Sequence, residues 1–134
     1  MDLRPVLLIE DQPDDQFLTL RTLRKLNISN ITVANEGEEA LRYLQKKTGL
    51  LSDDSESLPE LIILDLRMPK VDGFQFLESA SLDERIRDIP VIVLSSSPQE
   101  SDRAKCRDFG VKAYLKKPLE AEEFDIALRK IQLI

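Results

Sequence analysis

The sequence predicts an α/β protein built on a doubly wound parallel sheet, and two observations carry that prediction. Three apolar runs rich in Val, Ile and Leu, at Val6 to Ile9, Leu61 to Leu64 and Val91 to Leu94, read as strands covered on both faces. The segments between strands carry apolar residues at helical spacing, so strand and helix alternate along the chain. Its 134 residues, 42% hydrophobic and 33% charged, suit one domain spanning 1–134 with no separate output domain.

Taken in order, Val6 to Ile9 forms the first strand and gives way to Glu10. Phe17, Leu20 and Leu23 mark the apolar side of a first helix, and Asn30 to Ala34 is a weaker second strand. Ala40, Leu41 and Leu44 place a second helix, followed by a polar, acidic surface loop from Thr48 to Pro59. Leu61 to Leu64 ends at Asp65, and Phe76, Leu77 and Ala80 form the inner face of a third helix. Val91 to Leu94 ends at Ser95, Ala104 and Phe109 belong to a short polar fourth helix, and Ala113 to Lys116 is the fifth strand. Phe124, Ala127, Leu128 and Ile131 fall at i, i+3, i+4 and i+7 of a last helix. Parallel neighbours need crossover connections, which are right-handed almost without exception. Five such units with five helices give the flavodoxin-like strand order 2-1-3-4-5, with a crevice at the carboxyl ends of the first and third strands.

Charge and composition remove several function classes. With 19 basic and 25 acidic residues the net charge is −6, so there is no overall positive field for nucleic acid. The apolar runs are far shorter than the ~20 residues a membrane span needs, and no signal-peptide pattern precedes Val6. We therefore expect a cytoplasmic protein without membrane insertion. A single cysteine, Cys106, and no histidine leave neither an internal disulfide, nor a structural zinc site, nor imidazole chemistry. Chemistry must then rest on carboxylates, hydroxyls, lysine and a metal.

Glu10, Asp11 and Asp65 should meet in the crevice. Each alone is equally well a helix cap or turn former, but three carboxylates together either hold back a proton or recruit a cation. An oxygen-only cluster suits Mg²⁺, with Mn²⁺ as a substitute. Ser95 and Lys117 reach the same edge of the sheet, adding a hydroxyl and a cation. A carboxylate that becomes an acyl phosphate needs such a set around its phosphoryl oxygens.

Four motifs at the strand ends, Val6-Leu7-Leu8-Ile9-Glu10-Asp11, Leu64-Asp65-Leu66-Arg67-Met68-Pro69 with Asp72-Gly73 behind it, Pro90-Val91-Ile92-Val93-Leu94-Ser95, and Tyr114-Leu115-Lys116-Lys117-Pro118, carry a family likeness. From about Val6 to Ile131 the chain resembles a response-regulator receiver domain of two-component signalling, of the stand-alone type. Thr48 to Pro59, Leu82 to Pro90 and the serine run after the fourth strand resemble receivers associated with bacterial phytochromes. The resemblance implies Asp65 as phosphoryl acceptor, and Glu10, Asp11, Asp65 and the Arg67 carbonyl as metal ligands. It further implies Ser95 as switch hydroxyl, Lys117 as ion-pair partner, Tyr114 as the aromatic that swings inward, and a cis bond at Lys117-Pro118. Glu10 stands where Asp is also frequent and Ser95 where Thr is frequent. Arg67 and Ser97 occupy positions that tune acyl-phosphate lifetime in the family. The expected partners are a sensor histidine kinase or phosphotransfer protein and a downstream protein target, with a homodimer as a further output, through the fourth helix, fifth strand and fifth helix. The chain would act as a signalling phospho-acceptor rather than an enzyme, with slow self-dephosphorylation.

Three other functions share part of this pattern. A flavin carrier would need a phosphate loop where Glu10 to Asp15 is strongly acidic. A Mg²⁺-dependent carboxylate phosphohydrolase usually shows a paired Asp-x-Asp, whereas Arg67 stands two residues after Asp65. A receiver-shaped interaction module that is never phosphorylated has no need of all five site residues. The basic residues Arg103, Lys105, Arg107, Lys112 and Lys116 read first as a solvated face and second as a docking patch for an acidic partner.

Overall fold

The structure, a computed structural model, describes residues 5–48, 58–66, 72–96 and 100–132. The elements are β1 (Val6–Ile9), α1 (Pro13–Lys25), β2 (Ile31–Ala34), α2 (Gly37–Thr48), β3 (Leu61–Asp65), α3 (Gly73–Ser81), β4 (Val91–Ser95), α4 (Glu100–Asp108), β5 (Ala113–Lys116) and α5 (Ala121–Lys130). All strand pairs are parallel and the order is β2-β1-β3-β4-β5, as the sequence predicts.

Side chains alternate across each strand, so the sheet divides the core in two. Leu7, Ile9, Ile62, Leu64 and Val93 pack with Ala40 and Leu44 of α2, Phe76 and Leu77 of α3, and Cys106 of α4. Val6, Leu8, Leu61, Ile63, Ile92 and Leu94 pack with Leu23 of α1 and Phe124 and Leu128 of α5. Every residue of β1, β3 and β4 is buried, which is why these strands are continuous apolar runs, whereas edge strands β2 and β5 are mostly half-buried.

Local chemistry fixes the helix ends. Pro13 opens α1 with Asp14 and Asp15 in the first turn and Arg24 and Lys25 in the last, which suits the helix dipole. Asp72 caps α3 in a reciprocal pair: the Gln75 backbone N–H donates to Asp72 Oδ1, and Gln75 Oε1 accepts from the Asp72 N–H, each at 2.9 Å. Gly73 is required by close approach, since a Cβ there would lie 2.6 Å from Leu66 Cα. α1 is fastened to the β5–α5 connection by the buried Thr22 hydroxyl, which donates to the Leu119 carbonyl at 3.0 Å.

Three expectations are corrected. Phe17 is 60% exposed, because the inner face of α1 is made by Thr19, Thr22 and Leu23. Phe109 lies beyond the end of α4 at the surface, and α4 instead buries Asp102 and Cys106, one turn apart. Thr48 ends α2 rather than opening the loop, and residues 49–57 of that loop lie outside the described residues.

Candidate functional site

Parallel register builds the site. Ile9 pairs with Leu64, so Glu10 and Asp65 are the next positions on neighbouring strands, while Ser95 of β4 pairs with Lys116 of β5. The Lys117 N–H then donates to the Ser95 carbonyl at 2.8 Å, carrying the lysine to the same edge. The Lys117-Pro118 bond is cis, as expected.

Glu10, Asp11 and Asp65 each offer a carboxylate oxygen, and these oxygens lie within 4.8 Å of one another. Glu10 is 1% exposed and Asp65 5%. Lys117 Nζ lies 2.7 Å from Glu10 Oε1, 3.0 Å from Asp15 Oδ2 and 3.4 Å from Asp65 Oδ2. The Gln12 N–H donates to Glu10 Oε2 at 3.2 Å, and Gln12 Nε2 donates to Asp11 Oδ2 at 3.1 Å. Asp11 Oδ1 is buried without a hydrogen-bond partner among the described residues. A hard cation among these oxygens would satisfy it, so the donor set fits Mg²⁺.

Burial raises the Glu10 carboxyl from 4.5 to about 7; hydrogen bonding by Lys117 lowers it and the Asp65 charge raises it again. For Lys117, burial opposes the charge, but hydrogen bonds to Glu10 and Asp15 and the field of Asp65 outweigh it, leaving the ammonium above its usual value. Lys117 is therefore a fixed cation at neutral pH.

Ser95 is buried at the end of β4. Tyr114 is half-buried on β5, with the Arg103 guanidinium 5.3 Å from its ring centroid and its hydroxyl buried without a partner among the described residues. Arg67 and Ser97 lie outside the described residues. The basic residues Arg103, Lys105, Arg107, Lys112 and Lys116 are all exposed. Three of them have partners within the chain: Arg103 on Tyr114, Lys105 Nζ at 4.7 Å from the Phe74 ring centroid, and Arg107 with Glu100 at 3.2 Å.

Two site residues were missed by sequence reasoning. Asp15 binds Lys117 across a separation of 102 residues, with only its place in the first turn of α1 as a signal. Gln16 Nε2 donates to the Glu10 carbonyl at 2.6 Å and to Asn35 Oδ1 at 2.8 Å, tying the acidic loop to the end of β2.

Residues 6–129 match the response regulator receiver domain family. The chain belongs to that family. It is 35% identical over 128 residues to the probable methanogenesis regulatory protein FilR2 of Methanothrix harundinacea, covering 95% of this chain and 80% of that protein. The bacteriophytochrome response regulator AtBRR matches with a TM-score of 0.84 at 38% identity, covering 100% of this chain and 96% of that one. The phosphorylated cyanobacterial phytochrome response regulator RcpA matches with a TM-score of 0.75 at 30% identity, covering 98% of this chain and 92% of that one. Two other receivers, each 27% identical, were solved with divalent ions, one with magnesium in its active-site cleft and one with manganese. The family consists of phospho-accepting response regulators, which are signalling proteins rather than turnover enzymes. That membership sets aside the flavin carrier and the phosphohydrolase. Among the described residues no helix is long and apolar enough to cross a membrane.

Proposed function

We propose that this receiver accepts a phosphoryl group on Asp65 from the phosphohistidine of a sensor histidine kinase or phosphotransfer protein. The observation that carries the reading is the packing of the Glu10, Asp11 and Asp65 oxygens within 4.8 Å of one another, with Lys117 Nζ 3.4 Å from Asp65. An Asp65 oxygen forms the new O–P bond as the N–P bond of the phosphohistidine breaks, and the departing imidazole keeps the electron pair and takes up a proton. Glu10, Asp11 and Asp65, with the Arg67 carbonyl, would hold Mg²⁺ or Mn²⁺. When bound, the divalent ion neutralises charge on the phosphoryl oxygens. Lys117 supplies a second positive charge and Ser95 a hydroxyl donor from the far side.

Movement of Ser95 toward the phosphoryl group lets Tyr114 turn inward and biases the surface of α4, β5 and α5 between two states. A downstream protein, or a second copy of the chain, reads that surface in the cytoplasm, with residues 1–134 acting as one receiver unit.

The test is intact-protein mass spectrometry after incubation with acetyl phosphate, with and without Mg²⁺, on wild type and Asp65→Asn. One phosphoryl adduct that needs Mg²⁺ and is lost in Asp65→Asn is expected. An adduct that persists in Asp65→Asn would overturn the assignment.

A further inference from the structure

The Lys117 ammonium has three protons and faces three carboxylate oxygens, from Glu10, Asp15 and Asp65, at 2.7, 3.0 and 3.4 Å. The contacts to Glu10 and Asp15 are hydrogen bonds and the longer one to Asp65 is a charge contact, so two of the three protons are committed to Glu10 and Asp15. As Nζ moves out from the Asp65 oxygen toward a phosphoryl oxygen on Asp65, the contact that opens is the one least costly to lose. Burial decides which. Glu10 is 1% exposed at its side chain, and abandoning it would leave its Oε1 in the interior without the lysine that pairs it. Asp65 is the group that carries the phosphoryl. Asp15 is 36% exposed at its side chain, so water replaces the lysine at little cost.

We propose that Asp15 is a positioning residue that holds Lys117 in the resting site and is the contact released when Lys117 turns to a phosphoryl oxygen. This rests on the acceptor role of Asp65. Asp15 thus competes with the phosphoryl group for the same ammonium, and its place in the first turn of α1 makes that turn a second point at which phosphorylation is felt.

The experiment measures the affinity of beryllofluoride, a phosphoryl analogue, in the presence of Mg²⁺ for wild type, Asp15→Asn, Lys117→Gln and the double variant. Asp15→Asn removes the charged competitor while keeping size and fold, and should tighten beryllofluoride binding about fivefold, the scale of a half-exposed ion pair. In the Lys117→Gln background the same change should have no effect, because there is no ammonium to release. A general effect of removing one negative charge would instead persist in that background, and would overturn the proposal. So would an unchanged or weakened affinity in Asp15→Asn alone. Wild type that binds no beryllofluoride, or binds it as well as Asp65→Asn does, would mark failure of the acceptor assignment itself and the proposal would fall with it.

Discussion

Replacing Glu10 by glutamine should shift the stability of the metal-free protein relative to wild type in the variant's favour as pH rises, although it removes a site residue. The Glu10 carboxyl sits buried beside Asp65, and burial first, with the Asp65 charge against the opposing Lys117, raises it from 4.5 to about 7. The folded state therefore binds a proton over that interval that the unfolded chain has released, so stability falls as pH rises from about 4.5 to 7. The interval corresponds to a loss on the order of 3 kcal/mol. Glutamine keeps the shape, can still accept from Lys117 through Oε1, and does not titrate. Whatever its offset from wild type at pH 4.5, the difference should move in favour of Glu10→Gln by about 3 kcal/mol by pH 8. Urea unfolding followed by far-UV circular dichroism in a chelator, at several pH values between these limits, reads this directly. A difference that stays flat with pH, or moves toward wild type, would refute the claim that burial, with the Asp65 charge, raises the Glu10 carboxyl above its ordinary range. The same variant should lose Mg²⁺ affinity, since it gives up a carboxylate ligand.

Gly73→Ala should lower stability by about 1–3 kcal/mol, read as a drop in thermal midpoint, because its Cβ would press 2.6 Å from Leu66 Cα. Thr22→Val should cost about 1–3 kcal/mol in urea unfolding by leaving the Leu119 carbonyl without its donor, with the same shape retained. Cys106 should resist iodoacetamide at pH 8 in the native protein and react once unfolded, measured by intact mass, since burial and then the Asp102 charge raise its thiol to about 11. The Cys106 contribution to stability is complete below the ordinary value of 9.0 and is lost as pH climbs toward about 11.

What the sequence revealed follows burial. The inner strands β1, β3 and β4 were legible because both their faces are covered, so every position is apolar up to the site residues Asp65 and Ser95 that end β3 and β4. β2 and β5 were weaker because an edge strand leaves its positions half-exposed. Helical spacing located α1 but misjudged its inner face: Thr19 and Thr22 are buried, with the Thr22 hydroxyl satisfied by Leu119, while Phe17 turns outward. Periodicity reports which residues share a side, not which side meets the sheet. Glu10, Asp11, Asp65, Ser95 and Lys117 were legible because parallel register brings successive strand ends to one edge. Asp15 and Gln16 were not, since their contacts join α1 to distant loops through side-chain geometry that no local pattern encodes.

The most direct test of the central claim is the chemical identity of the phosphorylated residue. Protein incubated with acetyl phosphate and Mg²⁺ is reduced with borohydride, which converts an aspartyl phosphate to homoserine, then digested and sequenced by tandem mass spectrometry. Homoserine at position 65, with Glu10 and Asp11 unmodified, is the predicted result. Reduction at Asp11 or another aspartate, with Asp65 intact, would contradict it.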